Sequence, residues 1–269
     1  MASKYALPKI AYLYDGVSAS NFRLSDVAAY LAQWFPKMPI EVRPEFVRHH
    51  CLGGVSGEDV PEELSQRFAR IRVVDPSAKR LREKPFLAEI EYERRRLLSG
   101  GGSSGILYDG LEFQRIFCER LPREERAADV VHLVFTNQLL GTWEEGGRYH
   151  VRVAVYGIPS LVSTRGIVEG PAKPRDFYLK MSLGISAEAM KEELDGRFID
   201  HDDPRLTDVA KGYAMQAVFY HVTGNPFCTE KKCRLFNAHW QEDLIASQLG
   251  NGHEFCREHQ RVLEELLCT

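Results

Sequence analysis

The chain of 269 residues is long enough to bury a substantial hydrophobic core, as one large domain or two small ones. Its 35 basic and 38 acidic residues give a net charge of −3, which excludes a global positive field that would attract nucleic acid or an anionic membrane. The sequence has no apolar run of transmembrane length and no apolar signal-peptide run near its start. It therefore predicts a cytoplasmic protein.

The N-terminal part, 1–98, predicts alternating strands and helices. A strand at 10–14, a helix at 24–35 and a strand at 40–47 favour parallel pairing of the two strands through a covering helix. The rest of this part, from about residue 49, predicts charged helices. Glutamates and arginines alternate at 89–96, which is typical of a solvated helix face with internal ion pairs rather than of a phosphate-binding patch.

Glycines and serines at 99–105 predict a flexible loop. We interpret it as a loop inside a single domain, 1–269, because strands and helices continue to alternate beyond it. The next part, 106–227, then predicts a core sheet followed by a long helix. Its shorter elements are a helix at 111–121, a continuously apolar strand at 130–135, a turn at 141–148, a half-buried strand at 149–156 with a continuation at 162–164, and a loop at 166–175.

The long helix is predicted at 206–223. Asp203-Pro204 is typical of a helix start, and Gly224 is typical of a helix end. The run 201–203 (His-Asp-Asp) offers three metal-capable side chains, but adjacent residues rarely converge on one ion, so a helix-capping role is favoured. One face of the helix carries small residues and ends in a histidine: Ala210, Ala214, Ala217 and His221.

Four residues near the C-terminus have the spacing C-x4-C-x22-C-x2-H: Cys228, Cys233, Cys256 and His259. Three thiolates and one imidazole, with no carboxylate, suit a closed tetrahedral Zn²⁺ site rather than Mg²⁺ or Ca²⁺. The sequence thus predicts a structural zinc in a C-terminal helical subdomain, 228–269, with His253 as the reserve fourth ligand. The other cysteines, Cys51, Cys118 and Cys268, are scattered and odd in number, which argues against a disulfide framework.

The long helix and the cysteine loop resemble the archaemetzincins, a metzincin-like family of zinc metallopeptidases. Their pattern is HExxHxxGxxH, followed at once by Cys, then by x4-Cys-x-Met and later by Cys-x-x-Cys. Here 217–228 reads AVFYHVTGNPFC. When the two patterns are aligned on the first cysteine, the matching residues are His221 at the second histidine, Gly224 at the glycine, Cys228 and Cys233 at the first two cysteines, and Cys256 with His259 at the final pair.

The resemblance covers residues 130–265 and implies an α/β fold. This fold is a metzincin-like mixed sheet of four or five strands packed with helices, with a C-terminal zinc-knuckle subdomain. The strands before the helix, including 161–164, look like the sheet edge along which such enzymes bind substrate. The whole chain also resembles a prokaryotic group that is classed as metallopeptidases.

Three residues depart from the archaemetzincin pattern. Ala217 replaces the first zinc histidine, Val218 replaces the catalytic glutamate, and Phe227 replaces the third histidine, so AVFYH at 217–221 stands in place of HExxH. One imidazole cannot hold a catalytic zinc, and valine cannot accept a proton. The sequence therefore predicts a relative without zinc-peptidase activity, whose groove binds a peptide or a partner protein.

A second hypothesis assigns other chemistry, including a divergent metal-dependent hydrolysis, to the inherited cleft. His221 would act there as an acid, a base or a ligand, supported by His239 or Glu242. The alternatives are a buried histidine bonded to backbone for His221 and a solvated helix face for the other two. The sequence indicates neither the ligand nor the oligomeric state.

Overall fold

The computed structural model describes residues 4–52, 62–99, 105–250 and 254–268. Its centre is a five-stranded mixed sheet with helices on both faces, as the sequence predicts. The strands are β1 (Ile10–Gly16), β2 (Ile40–Pro44), β3 (Val73–Asp75), β4 (Arg80–Leu81), β5 (Leu107–Asp109), β6 (Val130–Thr136), β7 (Leu139–Trp143), β8 (Tyr149–Arg152), β9 (Ala154–Val155) and β10 (Ser160–Ser163). The helices are α1 (Leu24–Trp34), α2 (Phe46–Cys51), α3 (Glu62–Arg70), α4 (Leu87–Ser99), α5 (Gly110–Arg120), α6 (Thr164–Glu169), α7 (Arg175–Ser182), α8 (Ala187–Glu193), α9 (Leu206–Thr223), α10 (Gln241–Leu249) and α11 (Arg257–Cys268).

The central sheet has the strand order β2-β1-β6-β10-β9. β1 pairs in parallel with β2 and with β6, and β10 pairs in parallel with β6. The predicted parallel pairing of the first two strands through α1 is therefore confirmed. β9 pairs antiparallel with β10 and forms one edge of the sheet. Every residue of β6 is buried, which explains why its sequence is apolar on both faces rather than alternating, with His132 and Thr136 as its polar residues.

Each face of the sheet supports its own hydrophobic core because successive side chains of a strand point to opposite faces. Leu13 and Val131 lie in a core that α1 and α9 complete. Tyr14 and Val134 lie in the opposite core, formed with side chains from α2 to α5. Residues of the C-terminal segment, including Leu235 and Leu263, belong to the first core. The predicted zinc-binding segment thus packs directly on the long helix.

The prediction of a purely helical stretch after residue 49 was wrong, because β3 and β4 form a short hairpin between α3 and α4. The prediction of a solvated face on α4 was also wrong in part. Glu93 is fully buried, and its carboxylate accepts hydrogen bonds from Arg72 Nε at 2.6 Å and Arg96 Nε at 2.7 Å. Two guanidinium partners compensate for the loss of water around this charge. Glu91, in contrast, makes the expected half-exposed pairs along the helix, with Arg94 and Arg95.

The region before α6 also differs from the predicted elements. The stretch predicted as a turn at 141–148 begins inside β7, although Gly146 and Gly147 do have positive φ. The predicted strand at 149–156 is two strands, because β8 pairs with β7 in a separate three-stranded sheet while β9 pairs with β10. β10 returns beside β9 rather than continuing it. The predicted loop at 166–175 starts within α6.

The long helix has the predicted bounds. Gly224 ends it in the left-handed conformation, with φ of 75°, and its N–H donates to the Tyr220 carbonyl. The predicted helix-capping role of Asp203 was wrong: its side chain accepts from the Arg205 backbone N–H at 2.9 Å in the turn before the helix, and the residue at the helix N-cap, Arg205, makes no side-chain capping bond. The alanine stripe faces the core, with Ala210, Ala214 and Ala217 fully buried.

Residues 100–104 of the predicted flexible loop, and the reserve ligand His253, lie outside the described residues. Within the described ranges, no helix is both long enough and apolar enough to cross a lipid bilayer.

Candidate metal centre and the adjoining groove

The structure brings the four predicted metal ligands together. The Sγ atoms of Cys228, Cys233 and Cys256 and a ring nitrogen of His259 all lie within 4.8 Å of one another. The Sγ atoms of Cys228 and Cys256 are 3.8 Å apart, and His259 Nδ1 lies 3.0 Å from Cys256 Sγ and 3.8 Å from Cys233 Sγ. Zinc bonds of about 2.3 Å to sulfur and about 2.0 Å to nitrogen place tetrahedral ligand atoms roughly 3.5–3.8 Å apart. The cluster therefore fits a metal ion.

Local backbone geometry brings the first two cysteines towards each other. Gly224 turns the chain out of α9, and Cys228 then donates its backbone N–H to the Leu235 carbonyl at 2.9 Å. Between them, Cys233 N–H donates to the Glu230 carbonyl at 3.0 Å. These bonds close a tight loop with both thiols on its inner side.

The other two ligands come from the start of α11. Cys256 immediately precedes the helix, and His259 lies three residues later, so both side chains leave the same face. Arg234 N–H donates to the Glu254 carbonyl at 2.7 Å and ties this segment to the cysteine loop. Phe219 of α9 packs edge-on against the His259 ring, with 5.3 Å between the ring centroids. The long helix thus forms the floor of the cluster.

Burial shifts the pKa values of three of the four side chains in the direction that favours their uncharged forms when no metal is bound. It raises the pKa of the Cys228 thiol to about 12, and it raises the pKa of Cys233 as well. Burial lowers the pKa of His259, which keeps the imidazole neutral and able to donate a lone pair. The Glu230 backbone N–H donates to Cys228 Sγ at 3.3 Å, an interaction that stabilises a thiolate. A bound cation would stabilise all three thiolates in this site.

A cavity of about 270 Å³ lies beside α9, between the edge of the central sheet and the cysteine loop. The strand segment before α6 and the residues after Phe236 supply most of its walls. We call this cavity the groove. It is lined by Tyr149, His150, Val151, Arg152, Val153, Ala154, Tyr156, Gly170, Pro171, Tyr213, Phe227, Asn237, Ala238 and His239.

The three residues that depart from the expected archaemetzincin pattern differ in burial. Ala217 and Val218 are fully buried in the first core and do not line the groove, whereas Phe227 is 38% exposed and does line it. Tyr156 donates to Gln216 Oε1 at 2.5 Å and packs edge-on against Phe227, so an aromatic side chain and an amide occupy this part of the helix surface.

The three predicted catalytic side chains do not converge. His239 lines the groove, but His221 and Glu242 do not. Glu242 instead accepts hydrogen bonds from the Arg197 guanidinium at 2.6 and 3.0 Å. The His221 Nδ1 atom donates to the Ala128 carbonyl at 3.0 Å, while its Nε2 atom is buried without a hydrogen-bond partner among the described residues. His221 therefore makes the backbone contact that was the alternative to a catalytic role.

A buried polar network on the opposite face of the sheet was not predicted. The Tyr14 hydroxyl lies 2.8 Å from His50 Nε2, 3.0 Å from His132 Nδ1 and 3.1 Å from Arg43 Nη1. Tyr14 and His132 are fully buried, and Arg43 forms a two-bond ion pair with Glu125. Two features of the sequence could have indicated this network: His132 is a polar residue in the otherwise mostly apolar β6, and Tyr14 lies in the central strand β1.

The bonding pattern of this network sets the position of each proton. The Glu125 carbonyl only accepts, so His132 donates to it through Nε2 and has a free lone pair on Nδ1. Tyr14 consequently donates to His132 Nδ1, and its oxygen accepts from Arg43 and from His50. Burial lowers the pKa of His132 and lowers that of His50 to about 4, which keeps both rings neutral near pH 7. The network is fully bonded and acts as a structural cross-link between β1, β2, β6 and α2.

Among the described residues, the Cys3His cluster is the one group of three or more metal-capable side chains whose ligand atoms converge. No curated protein and no solved structure matches the chain significantly. One protein family does match, over residues 8–266, and its description is "Probable metallopeptidase family (DUF6775)". Since the match covers nearly the whole sequence, the chain belongs to this probable metallopeptidase family.

Proposed function

We propose that this protein is a zinc-stabilised, catalytically inactive member of its family that binds a peptide or a segment of a partner protein in the groove. One contrast carries the proposal. Four soft ligands converge at the Cys3His cluster, whereas the groove contains two histidines, His150 and His239, and no convergent third ligand among the described residues. A catalytic zinc site needs three protein ligands and an open position.

The composition of the cluster supports zinc as the metal. Three cysteines and one histidine form a complete tetrahedral set of soft and intermediate ligands, which favours Zn²⁺ over Mg²⁺ or Ca²⁺. When bound, zinc would act as a structural cross-link. The residues around it hold the cysteine loop, α9 and the start of α11 together, and Cys228 and Cys233 are buried. This arrangement leaves the metal without a position for substrate.

The walls of the groove support binding of an extended peptide. β9 forms an antiparallel edge of the central sheet, and Ala154 of this strand lines the groove. An edge strand offers backbone hydrogen-bonding groups to an incoming extended chain. Tyr149, Tyr156 and Tyr213 provide aromatic surface for side chains of such a peptide. The expectation that the strand at 161–164 forms this edge was wrong, because β10 lies between β6 and β9 and only β9 leaves a side unpaired.

Two measurements test the proposal. Elemental analysis of purified protein is expected to show about one zinc per chain, and incubation with a peptide library is expected to show no cleavage that a chelator abolishes. Chelator-sensitive cleavage by the wild type that is lost in His221→Ala would overturn the assignment as inactive. Cleavage that persists in His221→Ala would identify a contaminating protease. A zinc content well below one per chain would overturn the assignment of the metal.

One observation favours the second hypothesis, in which His221 performs chemistry. Its Nε2 atom has a free lone pair, because Nδ1 donates to the Ala128 carbonyl, and this atom has no described hydrogen-bond partner. Because this atom is buried, it could accept a proton from a ligand only if the end of α9 opened to admit that ligand. Hydrolysis or another proton-transfer activity of the wild type that disappears in His221→Gln, with zinc content unchanged, would support this second hypothesis. An equal activity of the variant and the wild type would exclude it.

We also propose a cytoplasmic location. The described cysteines other than Cys268 are free thiols, and the cluster needs three of them reduced. Cell fractionation that places the protein outside the cytoplasm would contradict this proposal.

A further inference from the structure

The charges that line the groove are unbalanced. Its lining contains Arg152, His150 and His239 but neither aspartate nor glutamate. His150 has a carboxylate nearby, because Glu144 Oε1 lies 3.0 Å from its Nε2 atom. Arg152, in contrast, forms no ion pair with a described carboxylate. Its Nε–H donates a hydrogen bond to Thr142 Oγ1 at 2.6 Å. The groove therefore carries a permanent positive charge that no acidic side chain of its wall neutralises.

This lack of a partner distinguishes Arg152 from comparable arginines. Among the described residues, every other arginine that is buried or half-buried lies within 4.0 Å of a carboxylate oxygen: Arg43, Arg67, Arg72, Arg82, Arg94, Arg96, Arg120, Arg165, Arg197, Arg205 and Arg234. Partly desolvating a guanidinium without an anion is costly, which is why such groups are normally paired. Arg152 is half-buried in the groove wall and lacks that compensation.

We infer that the Arg152 guanidinium binds a carboxylate of the peptide that occupies the groove. This inference deepens the proposed function and rests on it. A guanidinium recognises a carboxylate through two parallel N–H donors. Thr142 occupies only Nε of Arg152, so both terminal nitrogens can donate to a bound carboxylate. Tyr149 and Tyr156 also line the groove, and their rings offer aromatic surface to the peptide residue that bears the carboxylate or to the residue before it.

The size of the groove limits how much of the peptide is recognised. A cavity of about 270 Å³ is smaller than the usual range for drug-sized ligands, roughly 300–1,000 Å³, so it encloses a short segment rather than a long one. The carboxylate can be the C-terminal group of the peptide or the side chain of an aspartate or glutamate. Both present the same planar anion to Arg152.

Retention of peptides on the immobilised full-length protein tests the inference. Four randomised pentapeptide pools are used: one with all carboxylates free, one with only the C-terminus amidated, one with a free C-terminus but lacking Asp and Glu, and one with no carboxylate at all. We expect the first pool to be retained roughly tenfold to hundredfold more than the last, the range that a charged hydrogen-bond pair provides. The two intermediate pools show which carboxylate is recognised.

Variants assign the effect to one side chain. Arg152→Gln keeps a donor for Thr142 but removes the charge, so it is expected to abolish the preference for carboxylate pools. Arg152→Lys keeps the charge without the paired donors and is expected to retain part of the preference. Arg148→Gln, an exposed arginine of the preceding turn, is the matched control and should behave as the wild type. Circular dichroism and zinc content show that each variant is folded.

The outcomes separate this inference from the proposed function. Equal retention of the pools with and without carboxylates, or an unchanged preference in a folded Arg152→Gln, overturns the role of Arg152 but leaves a peptide-binding groove. Failure of the wild type to retain any pool overturns both. Retention that depends on carboxylates and is lost in Arg152→Gln supports both.

Discussion

The Cys3His cluster and the groove are built by adjacent residues of the same loop, yet they differ in what they can hold. Phe227 is 38% exposed and lines the groove, while the next residue, Cys228, is 8% exposed and belongs to the cluster. At the cluster, all four ligands predicted from their spacing converge. In the groove, the aromatic side chain of Phe227 is part of the wall, and no three metal ligands converge among the described residues.

This difference separates two roles that a metal has in such folds. A metal at the cluster stabilises the tertiary structure, because its ligands come from two segments that pack on α9. A metal in the groove would serve catalysis, but no set of three ligands converges there among the described residues, and Ala217 and Val218 are buried in the first core. The comparison teaches that family membership and a converging metal cluster do not by themselves establish a reaction.

The largest expected effect comes from removing a cluster ligand. Cys228→Ser is expected to lose the bound zinc and to unfold the C-terminal segment, because apparent zinc-binding energies of roughly 10 kcal/mol or more contribute to folding in such sites. Elemental analysis and thermal unfolding followed by circular dichroism measure both effects. Cys118→Ser, a half-buried cysteine outside the cluster, is the control and should keep its zinc. A Cys228→Ser variant with full zinc content and an unchanged Tm would refute the role of this ligand.

The second effect concerns substitutions that would introduce residues of the HExxH-type pattern. Val218→Glu is expected to destabilise the protein by on the order of 3–5 kcal/mol, because it places an unpaired carboxylate at a fully buried position. Urea unfolding measures the change. Phe227→His is a matched substitution at a half-exposed site and is expected to cost no more than about 1 kcal/mol. Equal stability of the two variants would show that the first core has room for the catalytic residue.

A smaller effect on stability is expected from the polar network around Tyr14, a third region to set beside the cluster and the groove, and one that has no role for a metal. The folded-state pKa of His50 lies near 4, below its ordinary value of about 6.5, so the folded protein binds fewer protons at this ring than the unfolded chain does. Its contribution to stability is complete above about pH 6.5 and is lost as the pH falls towards 4. After allowance for the partial exposure of His50, we expect a loss of about 1 kcal/mol between pH 7 and pH 5.

Unfolding in urea at both pH values, with zinc in excess, measures this loss. The free energy of unfolding should fall more steeply with decreasing pH in the wild type than in His50→Asn, which has no titrating ring. The variant retains His132 and His259, whose own titration is common to both proteins. Parallel pH profiles would show that His50 titrates normally.

The smallest expected effect is that of His221→Gln. The glutamine amide can replace the Nδ1 donor to the Ala128 carbonyl, so a cost of about 1 kcal/mol or less and an unchanged zinc content are expected. Thermal unfolding and elemental analysis measure these quantities. A variant that fails to bind zinc would show that the end of α9 supports the cluster more directly than the contacts indicate.

Features that depend on nearby residues were predictable from the sequence alone. The bounds of α9 follow from Asp203-Pro204 and Gly224, because the turn before the helix and the positive φ after it are local properties. The continuous apolar run of β6 predicted an interior strand. The cluster was predictable because ligand spacing and ligand chemistry constrain a metal site more tightly than any other motif in the chain.

Other features depended on partners distant in sequence, which only the tertiary structure decided. Glu93 is buried rather than solvated because Arg72 reaches it from beyond α3, and His221 bonds Ala128 rather than the groove because α9 packs across the start of β6. Arg152, at the end of β8, lies in a groove wall without acidic side chains that is assembled from segments distant in sequence. Charge and hydrogen-bonding capacity can be read from a single residue. Whether they are satisfied depends on which distant residues the packing of the chain brings near.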